Sequence, residues 1–299
     1  MELRAYAKIN WDLLIRGKRP DGFHLLDTVM VNVDLHDSLN FEASDNIRLT
    51  CSDASLPTDS RNLVVRAAEL LAKHSGFSGG ACIHLTKRIP AGGGMGGGSS
   101  DAASTLLGLN KLWNLGWTVE QLQPLAAELG SDVAFFLYGG WRRCLGRGEI
   151  VEALEGSENW PPVRLLLILP PWHVSTPLVY KALHCPSQET VKNRVRTFAA
   201  ITQRLEHLTK STQNTCTGLD FGLANDLTVA AQVVEPRLII LQRFLESEFS
   251  GRWLMSGSGA VHFVISSNAD DALTLETALR EKAGPGIQVL TATTFTPLF

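Results

Sequence analysis

GGGMGGGSSDAA (Gly92–Ala103) holds six glycines in its first seven residues and runs without a break into two serines, an aspartate and two alanines. Each glycine costs roughly 0.5–1 kcal/mol against alanine in regular structure, so the run belongs where backbone turns sharply or approaches something closely. Its flanks say what is approached. Upstream, Ala81, Ile83 and Leu85 alternate with Cys82, His84 and Thr86, the period of a strand, and Pro90 stops further pairing. Downstream, Ala102, Leu106, Leu109 and Trp113 recur at helical spacing, with Ser99 or Ser100 as the expected N-cap. Strand, glycine loop and helix N-terminus converge free N–H groups with the positive end of a helix dipole, an arrangement that holds phosphate. A flexible linker would need neither the capped helix nor the adjacent strand.

Two other glycine loops compete. A Walker A loop ends in Gly-Lys-Ser/Thr, and no lysine follows Gly98. Gly92, Gly94 and Gly97 satisfy G-x-G-x-x-G, but a dinucleotide site needs a second strand ending in an acid about 20 residues on. Instead, Thr118 and Gln121 form a capping box, and Leu122, Leu125, Ala126 and Leu129 trace another helix.

The 299 residues carry 27 basic and 30 acidic side chains, net −3, which predicts no bulk attraction to nucleic acid or membrane. With 44% hydrophobic and 19% charged residues, the chain has the profile of a soluble globular protein. Five cysteines (51, 82, 144, 185 and 216) lack any C-x-x-C and read as reduced packing residues of a cytoplasmic protein. Glu2 and Arg4 stand in what reads directly as a strand, which predicts no signal peptide, and no apolar run nears the ~18 residues of a membrane helix.

That first strand is apolar at Leu3, Ala5, Ala7, Ile9, Trp11, Leu13 and Ile15 and polar or amphipathic between. Lys8 and Asn10 therefore share a face, about 7 Å apart. A turn is expected over 17–22, strands over 29–35 and near 39–41 and 47–50, and a helix from Asn62 to Lys73. After Glu155–Asn159 and Pro161-Pro162, an apolar run from Leu165 to Leu169 predicts a buried strand. Helices are expected near 176–184, 193–209, 226–248 (bent at Pro236) and 270–282. Trp253–Ile265 reads as one strand interrupted by Ser256-Gly257-Ser258-Gly259, and a closing strand follows near 287–295. Strands and helices do not alternate regularly, so the expected class is α+β in two lobes, 1–158 and 159–299.

The glycine loop with its exit GGSSDAA (97–103), the lysine-bearing first strand and the late SGSG (256–259) together resemble the GHMP kinase superfamily. Within it, AKIN (7–10), GKRPDGFH (17–24), GSDVAFF (130–136), GRGE (146–149) and ANDL (224–227) resemble a branch acting on a cytidyl diphosphate ester of methylerythritol. The resemblance implies a ribosomal-protein-S5-like N-terminal lobe, a ferredoxin-like C-terminal lobe and a site between them. It implies transfer of the ATP γ-phosphoryl group to the 2-hydroxyl of that small-molecule substrate, with Mg2+ accompanying the nucleotide.

By the same resemblance, Asp132 is the catalytic aspartate and Lys8 its partner. Phosphoryl transfer rests mainly on positioning and charge compensation, so Asp132 would orient the hydroxyl and Lys8 would meet charge on the migrating group. Read alone, Asp132 is equally an N-cap, and Lys8 a solvated lysine on a strand's polar face. Asn10 would bind a substrate hydroxyl. His24 would read cytosine between Phe23 and Tyr180, a base stack worth about 1–3 kcal/mol; Phe23 stands where the family has tyrosine. Thr176 and Asp226 are further substrate contacts. ATP would lie on Gly94, Gly96, Gly97, Gly98, Ser99 and Ser100, with Asn62 near adenine or ribose and Gly257 closing from the second lobe. Met95 replaces a usual leucine at the loop tip, Ala134 a frequent proline, and His262 reads as structural. The metal ligands stay open. The alternatives are a related kinase of homoserine or mevalonate type, a non-catalytic ligand-binding paralogue, and a dehydrogenase; the turn Pro20–His24 separates the first, since those enzymes have no cytosine to read.

Overall fold

The computed structural model describes residues 1–184 and 221–297. The helix expected near 193–209, together with Cys185 and Cys216, lies outside the described residues. The chain opens with two long antiparallel strands, β1 (Glu2–Lys18) and β2 (His24–Ser44), joined by a tight turn in which Arg19 N–H donates to the Phe23 carbonyl at 2.7 Å. The separate strands expected over 29–41 are thus one. Its polar positions Asn32, Asp34 and Asp37 do not break it because both edges are paired: β1 lies along one, and β5 (Arg142–Gly146), β11 (Gln288–Phe295) and β4 (Gly80–Thr86) take successive parts of the other. The short β3 (Arg48–Cys51) extends the sheet parallel to β4, and β6 (Ile150–Ala153) pairs with β5.

Four helices cover one face of this sheet: α1 (Leu63–Ser75), α2 (Gly97–Leu112), α3 (Val119–Leu129) and α4 (Val133–Tyr138). The stripe Ala102, Leu106, Leu109 and Trp113 is buried as its spacing predicts, against Phe41, Ile83 and Leu85. Each large apolar side chain so buried contributes about 1.5–3 kcal/mol. Thr118 and Gln121 form the capping box on α3. The cap expected at Ser99 or Ser100 is absent: α2 starts at Gly97, and its N-cap is Gly96, left-handed at φ 70°.

Beyond a 3-10 turn at Ser157–Asn159, at the expected lobe boundary, come β7 (Arg164–Leu169), α5 (Thr176–Ala182) and the two-residue β8 (Ala224–Asn225). The predicted helix at 226–248 is two helices, α6 (Thr228–Val234) and α7 (Arg237–Phe249), because Pro236 starts a new one. Trp253–Ile265 is not one interrupted strand either. It is a hairpin of β9 (Trp253–Met255) and β10 (His262–Ile265), with Met255 opposite His262. Gly257 and Gly259, at φ 57° and 90°, fold the intervening loop back on itself. After α8 (Ala269–Lys282), β11 pairs with β7 and then, through Thr294 and Phe295, with β2, so the last strand joins the two sheets.

Candidate active site

A cleft of about 970 Å³ runs between the glycine loop, the β1–β2 turn, α5 and the β9–β10 loop. Its walls are built differently at each end. At one end the wall is backbone. The space a Cβ would need at Gly92, Gly93 and Gly94 is taken by His173, Val261 and the Ser256 carbonyl, at 2.4, 2.8 and 2.4 Å. The first half of the run therefore lets residues from beyond position 170 dock against it. Gly98 is different: only Leu63 lies near its missing side chain, at 3.7 Å. Gly94, Gly96, Gly97, Gly98 and Ser99 all line the cleft at the start of α2. Met95 is no exposed tip; it is 1% exposed in the core beneath, and its carbonyl accepts from Lys8 N–H.

Two of the expected nucleotide-side residues carry structural hydrogen bonds. Ser100 does not line the cleft: it is buried, and its hydroxyl donates to the Tyr6 carbonyl at 2.7 Å. Asn62 does line it, but its amide accepts from Val64 N–H and donates to Pro57 O, capping α1 and pinning the preceding loop. Sequence reasoning missed Lys87, which lines the cleft under Gly97 and pairs with Asp37 and, at 2.8 Å, with Asp101. The other oxygen of Asp101 is buried without a partner, and burial pushes this carboxyl up to about 7 against the pull of Lys87. No periodicity links residues 37, 87 and 101; the pairing of β2 with β4 brings the first two together and α2 carries Asp101 to them.

The floor is a pair of charges. Lys8 and Asn10 are each 3% exposed, so the polar face of β1 is roofed by the glycine loop and the β9–β10 loop rather than open to solvent. Lys8 Nζ donates to Asn10 Oδ1 (2.6 Å) and Gly94 O (2.9 Å) and lies 3.4 Å from Asp132 Oδ2. Asp132 occupies the N-cap position of α4, yet its side chain makes no cap hydrogen bond and faces Lys8. The Asn10 amide donates to Thr28 Oγ1 at 2.8 Å and accepts from Lys8, so Asn10 holds Lys8 while still lining the cleft with a second N–H and a second lone pair. Ser256, also missed, ties the loops together, accepting from Asn10 N–H at 3.3 Å and donating to Gly94 O at 3.2 Å.

At the far end the wall is side chains. The His24 and Tyr180 rings stack directly on each other, 5.3 Å apart and inclined by 28°. Phe23 is 51% exposed, with the Arg147 guanidinium 5.1 Å from its ring centre. Burial, then the charge of Lys18, holds His24 below the ordinary histidine range, while burial and the Asp132 charge push the Tyr180 hydroxyl up. Thr176 Oγ1 lies 2.7 Å from Ser258 Oγ, and both line the cleft with Gly257. Asp226 does not line it: its carboxylate accepts from Ile15 N–H and fastens β8 to β1. Its neighbour Asn225 donates to Met255 O and Gly257 O, holding the loop in place. His262 is fully buried between Gln242 and Ala260 O, and burial lowers it to about 4, a structural histidine. Among the described residues no three His, Cys, Asp or Glu side chains group as a metal site, and no helix is long and apolar enough to cross a membrane.

Residues 62–140 match the GHMP kinases N terminal domain. The chain is 50% identical over 181 residues to the 4-diphosphocytidyl-2-C-methyl-D-erythritol kinase of Synechococcus sp. (strain CC9605), a match spanning 59% of this chain and 58% of that one. It is 42% identical over 279 residues to the enzyme of the same name from Synechococcus sp. (strain CC9902), covering 90% of this chain and 89% of the relative. A crystal structure of 4-(cytidine 5'-diphospho)-2C-methyl-D-erythritol kinase superposes with a TM-score of 0.78 at 34% identity, over 99% of this chain and 100% of that one. An α+β fold, a glycine loop and a Lys8–Asp132 pair in one cleft agree with these likenesses, and the chain belongs to the 4-diphosphocytidyl-2-C-methyl-D-erythritol kinase family of the GHMP kinases.

Proposed function

We propose that this chain transfers the γ-phosphoryl group of ATP to the 2-hydroxyl of 4-diphosphocytidyl-2-C-methyl-D-erythritol, in the non-mevalonate route to isoprenoid precursors. The observation that carries the reading is the placement of Lys8 and Asp132, 3.4 Å apart, in one cleft with the glycine loop and the His24–Tyr180 ring pair. The backbone N–H groups of residues 96–99, at the positive end of α2, hold the nucleotide phosphates. Asp132 orients the acceptor hydroxyl and takes its proton as the new P–O bond forms and the bond to ADP breaks. Lys8 meets the negative charge on the migrating group, and its contact with Gly94 O ties it to the loop that holds that group. Ser99 and Asp132 offer the one or two protein oxygens that would hold a phosphate-bound Mg2+, which would supply neutralisation of phosphate charge.

At the acceptor end His24, kept neutral, offers one donor and one acceptor nitrogen to a cytosine edge, and Tyr180 and Phe23 offer ring faces. Residues 1–158 would form the lobe that holds ATP, and 159–299 the lobe that brings Thr176 and Tyr180 to the acceptor side and Gly257 over the glycine loop. A cytoplasmic setting agrees with the unpaired thiols of Cys51, Cys82 and Cys144. The test is ADP release by the purified chain with the cytidyl substrate, homoserine and mevalonate in parallel. Turnover with the cytidyl substrate alone is expected; turnover only with either of the others refutes the assignment.

A further inference from the structure

We infer that Thr28 is a positioning residue for Lys8, acting through Asn10; the inference rests on the reading of Lys8 given above. Thr28 is 2% exposed on β2, across from the polar face of β1. Its hydroxyl has one proton, and that proton is committed, because the group touches the Asp12 carbonyl, which can only accept. Toward Asn10, Thr28 therefore presents a lone pair, and the amide nitrogen of Asn10 must face it. That leaves the Asn10 oxygen turned to Lys8 Nζ, 2.6 Å away, as an ammonium donor requires. The two ends of the amide are thus fixed independently and agree. Of the three Lys8 protons, one goes to Asn10, one to Gly94 O and the third side faces Asp132. Without the Thr28 lone pair, the buried amide has an unmet donor and turns, and the ammonium loses the acceptor that aims it at the reacting group.

Valine has the shape of threonine without the hydroxyl; serine has the hydroxyl without the methyl. In Thr28→Val, kcat should fall about tenfold or more, while KM for ATP and for the acceptor each move less than about twofold. Thr28→Ser should keep most of kcat. A role in packing alone gives the reverse order, with serine the worse variant and thermal stability following it. In an Asn10→Ala background, Thr28→Val should add no further loss of kcat, since the pathway through Asn10 is already gone. A fall in kcat that adds in full, or a loss in valine that appears in KM, overturns the inference. A second readout is independent of the substrate. The Lys8 ammonium should give a protected 15N-resolved proton signal in wild type and Thr28→Ser that disappears in Thr28→Val. Retention of that signal in the valine variant overturns the inference whatever the enzyme phosphorylates. Absence of wild-type turnover with the cytidyl substrate sinks the functional assignment instead.

Discussion

The two ends of the cleft are built by different means. The proposed phosphate wall is mainly backbone, glycines, a helix N-terminus and the N-cap Gly96, with Lys87 and Asn62 beside it. The acceptor end is side chains: His24, Tyr180, Phe23 and Thr176, carried on a turn and a short helix. A backbone cradle recognises phosphate, a group common to every kinase of this fold, whereas the side chains carry the choice of acceptor. Between them, Lys8 and Asp132 belong to both ends, since Lys8 bonds the glycine loop on one side and faces Asp132 on the other.

The largest effect should come from the shared centre. Asp132→Asn removes the proton acceptor and the partner of Lys8, and kcat should drop on the order of 10²–10⁴-fold with the fold intact by circular dichroism. Activity within tenfold of wild type would remove Asp132 from the chemistry. Next come two glycines of the same loop with different surroundings. Gly98→Ala meets only Leu63 at 3.7 Å and keeps an ordinary φ, so its melting temperature should stay within about 2–4 °C, an effect of 1 kcal/mol or less, while KM for ATP rises. Gly94→Ala drives a Cβ to 2.4 Å from the Ser256 carbonyl at φ 78°, and should cost stability and kcat together. Equal melting losses in the two variants would erase the distinction between glycines that dock the second half and glycines that face ligand.

A further effect lies in pH dependence. Asp101 is held up to about 7 in the folded protein, against about 3.9 for a free aspartate, so its ionisation opposes folding. The favourable protonated state is fully present below pH 3.9 and is lost as pH rises through 7. Asparagine does not titrate, so the melting temperature of Asp101→Asn relative to wild type should climb between pH 4 and pH 8. A flat difference would mean that Lys87 holds the carboxylate charged throughout.

Short-range features of this site are legible in the sequence. The strand, glycine loop and helix and the capping box at Thr118 follow from spacing within a dozen residues, and the structure keeps them. The motif residues Lys8, Asp132, His24 and Tyr180 also reach one cleft. What spacing cannot show is which polar atoms meet after strands pair. Lys87 finds Asp37 only through the β2–β4 ladder, and Thr28 reaches Asn10 only through β1–β2. Nor can spacing show that Ser100 donates to the Tyr6 carbonyl, that Asn62 caps α1 from the cleft wall, or that Asp226 accepts from Ile15 N–H. The loop at 256–261 reads as an interruption because a hairpin and a broken strand share the same apolar pattern.

Separate binding measurements on one variant test the division between the two ends most directly. In His24→Ala the cytidyl substrate should bind about 5–150-fold more weakly, the range of a lost stack or paired base edge of about 1–3 kcal/mol, while a non-hydrolysable ATP analogue binds within about twofold of wild type. Equal weakening of both ligands, or of the ATP analogue alone, would contradict a cleft whose backbone holds the nucleotide and whose side chains choose the acceptor.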